Sequence, residues 1–172
     1  MKNLLFALLL FASMGTNSIS ADAFEEIQNE DAFYLIQENV NNLQNADATN
    51  DSTRELLNLI DEGYIIDPFN MSKLIETLTH ANATNNATKI IIHAIQHNSP
   101  LTPDHLSCLL NTLAHANASN NATAIILKSI ELGIKFGPKE RRLLAEISRI
   151  ANAKKNVEKV RKALHERENS QP

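Results

Sequence analysis

The phrase HANATNNAT at residues 80–88 returns as HANASNNAT at 115–123, one substitution in nine positions and an offset of 35 residues. A polar phrase written twice at a fixed interval constrains the chain to a repeated supersecondary unit, since each copy must make the same turn in the same local setting. The offset holds well beyond the phrase. Ala46-Asp47-Ala48, Ala81-Asn82-Ala83, Ala116-Asn117-Ala118 and Ala151-Asn152-Ala153 share one register. Asp51, Asn86, Asn121 and Asn156 share a second, Pro68, Pro103 and Pro138 a third, and Gly63, Asn98 and Gly133 a fourth.

Each register predicts a mechanical role. Proline is tolerated at the first position of a helix, where its missing N–H has no partner to lose, so Asp67, Thr102 and Gly137 are the expected N-caps of a first helix. Met71, Leu74, Ile75 and Leu78, with Leu106, Leu109, Leu110 and Leu113 one repeat later, follow the three-and-four spacing of a helical face. The first helix closes near the alanine-asparagine triplet. Asp51, Asn86, Asn121 and Asn156 are then expected to cap a second helix, each side-chain oxygen accepting from an orphan N–H and contributing about 1 kcal/mol. That helix carries Leu56, Leu57, Leu59 and Ile60, or Ile90, Ile91, Ala94 and Ile95, or Ile125, Ile126, Leu127 and Ile130, inward. Gly63, Asn98 and Gly133 end it, because glycine and asparagine best accept a left-handed conformation. A lone helical hairpin cannot bury its apolar side, but stacked hairpins share one core. The fold class expected is all-α, an α-solenoid of four helix-turn-helix repeats of 35 residues at about 33–67, 68–102, 103–137 and 138–172.

A two-helix unit of this length resembles the tetratricopeptide and, more closely, the pentatricopeptide repeat families. Leu109 through Asn117 (LLNTLAHAN) and Ile130 through Lys135 (IELGIK) carry the likeness, which extends over residues 24–172. The first family typically binds peptides or partner proteins and the second single-stranded RNA. Pentatricopeptide base selection would map near Ser72 and Ser107, with Thr102 and Gly137 where that family often has aspartate.

Residues 1–23 predict a secretory signal peptide. Lys2 precedes the apolar run 4–12, too short to span a bilayer, and Ala21-Asp22-Ala23 fits the A-x-A cleavage rule, with cleavage after Ser20 or Ala21 as alternatives. The short start and compact apolar stretch are of bacterial type, and the expected location of 24–172, the helical-repeat domain, is periplasmic or extracellular. Cys108, the one cysteine, stands far from the cleavage point, so neither a lipoprotein nor an internal disulfide is expected. Its plain reading is a small helix residue.

Charge turns the reading away from nucleic acid. There are 16 basic and 20 acidic residues, a net charge of −4 that the loss of Lys2 and Asp22 leaves unchanged, whereas phosphate neutralisation supplies most RNA affinity. Two tyrosines and no tryptophan leave few stacking platforms. The sign is unevenly spread: residues 24–137 hold 5 basic and 14 acidic side chains, residues 138–172 hold 10 and 5. Arg141, Arg142, Arg149, Lys154, Lys155, Lys159, Arg161 and Lys162 form a basic surface that either solvates a capping repeat or docks an acidic protein, an anionic membrane or the acidic beginning of a second copy. The last would be a salt-sensitive homo-oligomer.

Catalytic motifs are absent: there is no nucleophile elbow, phosphate-cradling glycine loop or cysteine-histidine cluster, and no enzyme or cofactor is expected. His93 and His97 lie four apart on a helix and could face one metal ion, but the glutamate of H-E-x-x-H is missing and the next repeat has Lys128 and Leu132 there. They are expected to be ordinary exposed histidines. His80 and His115 recur and are expected to line a surface row with Thr77 and Thr112 on the first helices. Six N-x-S/T sequons, among them those at Asn70, Asn86 and Asn121, read as incidental to capping. The function expected is binding of a protein or peptide along the first helices, at Ser72, Thr77, His80, Ser107, Thr112 and His115. The alternative is self-association through the acidic beginning and basic end.

Overall fold

In the computed structural model, which describes residues 21–45, 47, 49–80 and 83–170, the described residues form eight helices and no strand. They are α1 Ala21–Asn42, α2 Thr49–Asp61, α3 Pro68–Thr77, α4 Thr84–Gln96, α5 Pro103–Thr112, α6 Ser119–Glu131, α7 Pro138–Ile147 and α8 Lys154–Asn169. Residues 1–20 of the expected signal peptide, and Ala46, Ala48, Ala81 and Asn82 of the triplet register, lie outside the described residues; 21–23 form the first turn of α1. No helix among the described residues is long and apolar enough to cross a membrane.

The proline and glycine registers act as expected. Pro68, Pro103 and Pro138 open α3, α5 and α7. Asp67 Oδ1 accepts from the N–H groups of Phe69 and Asn70 at 2.8 and 3.1 Å, and Thr102 Oγ1 accepts from His105 N–H at 3.3 Å. Gly137 has no side chain to offer, so the carboxylate of Glu140 reaches back to its N–H instead, at 2.9 Å. After the second helices Gly63, Asn98 and Gly133 take φ of 98°, 67° and 92°. That left-handed residue lets Tyr64, Ser99 and Ile134 donate backbone N–H back to Leu59, Ala94 and Ser129 at 2.9–3.0 Å, closing each helix end.

The asparagine register does not cap. α4, α6 and α8 start three residues earlier than expected, at Thr84, Ser119 and Lys154, and their N-cap positions are Ala83, Ala118 and Ala153, with no side-chain cap bond. Asn86, Asn121 and Asn156 therefore lie inside the first turn. Asp51 likewise lies inside α2, which begins at Thr49, and pairs with Arg54 at 2.8 Å on the surface. Packing outweighs capping here: the three N-cap alanines are wholly buried, and a branched polar side chain in their place would hold the helices apart.

The chain divides into two compact units, Met1–Phe33 and Tyr34–Pro172, and the core described here belongs to the second. Within it α2, α4, α6 and α8 pack in order, as do α3, α5 and α7, and the layers meet through the pairs α3–α4, α5–α6 and α7–α8. One apolar cluster runs from Ile36 to Leu164. All the apolar positions expected inward are buried except Leu57 and Leu127, which are half-buried. Each fully buried leucine or isoleucine contributes about 1.5–3 kcal/mol from area alone, so the sharing of one core between neighbours dominates the stability.

Candidate functional site

With the asparagines released from capping, their amides bond across to the preceding helix pair. Asn86 Nδ2 donates to Thr49 Oγ1 at 3.1 Å and Asn50 Oδ1 at 3.5 Å; Asn121 Nδ2 donates to Thr88 Oγ1 at 2.9 Å and Asn85 Oδ1 at 3.0 Å. Asn156 Nδ2 donates to Ser119 Oγ at 2.7 Å and Asn120 Oδ1 at 3.2 Å. This ladder explains why the polar phrase is kept so closely: T/S-N-N-A-T supplies the donor of one rung, Asn86 or Asn121, and the acceptors of the next, Asn85 and Thr88 or Ser119 and Asn120. Asparagine is required because its amide offers two donors beside an acceptor.

A second polar column runs through the third position of α3, α5 and α7, where Asn70, His105 and Glu140 are buried, at 0, 4 and 3 % exposure. His105 Nδ1 accepts from Thr102 N–H at 3.1 Å, which puts the ring hydrogen on Nε2, facing Pro68 O at 3.0 Å and Ser72 Oγ at 2.9 Å. Burial lowers the His105 pKa, outweighing the opposing pulls of the Pro68 carbonyl and Asp104. The neutral ring fits, because a second hydrogen on Nδ1 would face the Thr102 donor. Ser107 Oγ meets Glu140 Oε1 at 3.5 Å in the equivalent place. Asn70 Nδ2 donates to Asp67 Oδ2 at 2.5 Å while its Oδ1 is buried without a partner.

These contacts redistribute the six candidate binding residues. Thr77 and Thr112 are buried, their hydroxyls donating to Lys73 O and Cys108 O at 2.8 and 2.9 Å, so neither belongs to a surface row. Ser72 and Ser107 are half-buried and joined to the polar column. His80 and His115 are exposed in the turns after α3 and α5. The outward registers of the first helices are instead Phe69, Asp104 and Lys139, and Glu76, Asn111 and Glu146; the register between them is mixed, with Cys108 exposed, Lys73 half-buried and Leu143 packed against the core. Lys139 donates to Asp104 at 3.0 Å, a bond that raises the lysine pKa, and Lys73 lies 4.9 Å over the Phe69 ring.

The basic candidates are all exposed. Arg141 pairs with Glu168, Lys162 lies 3.7 Å from Glu166, and Arg161 donates to Ser148 Oγ at 3.2 Å. Among the described residues Arg142, Arg149, Lys154, Lys155 and Lys159 make no ion pair. Arg167 does a different job: its guanidinium caps the end of α6 by donating to the carbonyls of Ile130 and Glu131.

His93 and His97 meet a third side chain that the sequence reading passed over. Asp61 Oδ1 lies 2.7 Å from His93 Nε2 and 3.8 Å from His97 Nε2, at the edge of an open groove of about 450 Å³ that Leu57, Lys89, Ile92 and Gln96 also line. The 35-residue ruler held the signal. Asp61 is the register equivalent of Gln96, which His93 precedes by one turn and His97 follows directly. Cys108 is exposed on α5.

No family model, curated protein or solved structure matches this chain.

Proposed function

We propose that the chain is an exported α-solenoid of four 35-residue helix pairs that binds another protein or peptide along the outward face of its first helices. The observation that carries this reading is a contrast between registers. Inward positions repeat, as at Leu74, Leu109 and Leu144, whereas outward ones diverge, as at Phe69, Asp104 and Lys139. A scaffold position keeps its residue because its neighbour repeats; a face that varies from pair to pair can meet a non-repeating partner one residue at a time. The resemblance to pentatricopeptide and tetratricopeptide repeats supports the same class of fold. A protein or peptide is favoured over RNA by the net charge of −4 and by the engagement of Ser72 and Ser107 within the column.

The test is capture of exported proteins on the immobilised chain. The expected result is a partner retained by the wild type and by a second-helix variant, Lys89→Glu, and lost by Phe69→Ala with Glu76→Lys on the first helices. Loss with Lys89→Glu alone would move the interface to the other layer. A second reading, association of copies through the acidic beginning and basic end, is favoured by Arg142, Arg149, Lys154, Lys155 and Lys159, exposed cations that make no ion pair among the described residues. Sedimentation at low and high salt separates the two: a monomer at both removes the second.

A further inference from the structure

Stacking alone delivers a carboxylate to a pair of imidazoles. Asp61 ends α2, and the next second helix presents His93 and His97 around the equivalent position, so the donor atoms of all three lie within 4.8 Å of one another. The two rings stand 4.2 Å apart between centroids. A zinc ion at about 2.0–2.1 Å from each donor in tetrahedral geometry holds its ligand atoms about 3.3 Å from one another. The observed Nε2–Oδ1 separations of 2.7 and 3.8 Å fall on either side of that value, within reach of small side-chain rotations.

One ligand is already oriented. His97 Nδ1–H donates to the carbonyl of His93 at 2.9 Å, which fixes the tautomer and leaves Nε2 as a bare lone pair turned toward Asp61. His93 Nε2–H donates to Asp61, and when that nitrogen takes an ion the neutral ring carries its one hydrogen on Nδ1 instead, solvent exchanging the proton. The side chains are 27, 43 and 61 % exposed for His93, His97 and Asp61, so an ion reaches them and a fourth position stays open to water. Two imidazoles with one carboxylate select zinc, copper(II) or nickel over the oxygen-seeking magnesium and calcium.

We propose that Asp61, His93 and His97 bind one divalent transition ion, with zinc as the reference, and that this ion ties α2 to α4. Because only folding brings the three together, binding stabilises the folded chain.

The experiment titrates zinc chloride into the full chain, expressed without a histidine tag and stripped with a chelator, by calorimetry and by thermal melting. Expected are one equivalent bound, no displacement by a hundredfold excess of magnesium, and a melting temperature raised by on the order of 5 °C once zinc is well above Kd. His93→Ala, His97→Ala and Asp61→Asn each weaken binding at least tenfold; Cys108→Ser and His80→Ala leave it unchanged. Asp61 and His97 are exposed and His93 half-buried, so the metal-free melting temperature of Asp61→Asn and His97→Ala stays near wild type and separates lost binding from lost folding. Absence of saturable binding, or binding that survives His93→Ala and falls with Cys108→Ser, overturns the proposal.

Discussion

The pairs α5–α6 and α7–α8 share their punctuation and differ in what they bury. Pro103 and Pro138, Ala118 and Ala153, Asn121 and Asn156 are equivalent in sequence and in place. The core positions split. Leu109 and Ile125 find their equivalents in buried Leu144 and Val160, whereas Leu106, Ile126 and Ile130 become exposed Arg141, Arg161 and His165. α5–α6 is flanked on both sides, by α3 and α4 and by α7 and α8, while among the described residues α7–α8 packs only on its predecessor. The turn registers thus encode the pair itself, and the apolar registers encode how many neighbours it has.

The largest test of that division places alanine at one register in both pairs. Ile126→Ala empties a site closed on all sides and should cost about 3 kcal/mol, while Arg161→Ala should stay within about 0.5 kcal/mol. Urea unfolding of both variants checks it, and equal losses would dissolve the distinction. The ladder comes next. Asn121→Ala removes two inter-pair hydrogen bonds and should cost about 1–2 kcal/mol, against about 0.5 kcal/mol or less for Asp51→Ala, whose carboxylate meets only Arg54 on the surface. If the losses match, the rungs carry no special weight.

Glycine sharpens the comparison further. Gly63 and Gly133 both have positive φ, so either change to alanine should cost about 1 kcal/mol from the backbone alone. At Gly63 an added Cβ meets open space, but at Gly133 it falls 2.6 Å from the Arg167 guanidinium, forcing that side chain off the end of α6. Gly133→Ala should therefore be the worse of the two, and the excess should vanish in an Arg167→Ala background, as read by a double-mutant cycle. The smallest effect is one of pH. Burial holds His105 below its ordinary pKa of 6.5, so between the two values the unfolded chain binds more protons. Its contribution is fully present above about pH 6.5 and is lost as pH falls through the lower folded value. His105→Gln should flatten the wild type's extra loss of urea midpoint between pH 7.5 and 5.5; an unchanged slope would assign the loss to other groups.

The helical class, the proline starts and the glycine ends were legible because each rests on one residue's backbone chemistry: a missing N–H, a missing Cβ. Asn86, Asn121 and Asn156 misled because asparagine suits both a cap and a cross-link, and only the neighbouring helix decides between them. Thr77 and Thr112 looked outward by polarity, yet a helix can satisfy a buried threonine with its own carbonyl four residues back, so polarity did not report exposure. Asp61 escaped notice because it is remote in sequence from the histidines, although the same ruler that found the repeat places it beside them.

The rungs of the ladder all point one way, each amide donor reaching toward the earlier pair, and so each pair must offer oxygen acceptors to whatever comes after it. At the positions of Thr49 and Asn50, or Ser119 and Asn120, α8 offers Lys154 and Lys155, whose ammonium groups can only donate. An asparagine amide arriving there would meet two donors in place of two acceptors. The directional chemistry of the ladder therefore changes character at α8, where ammonium groups stand in the places of hydroxyl and amide oxygens.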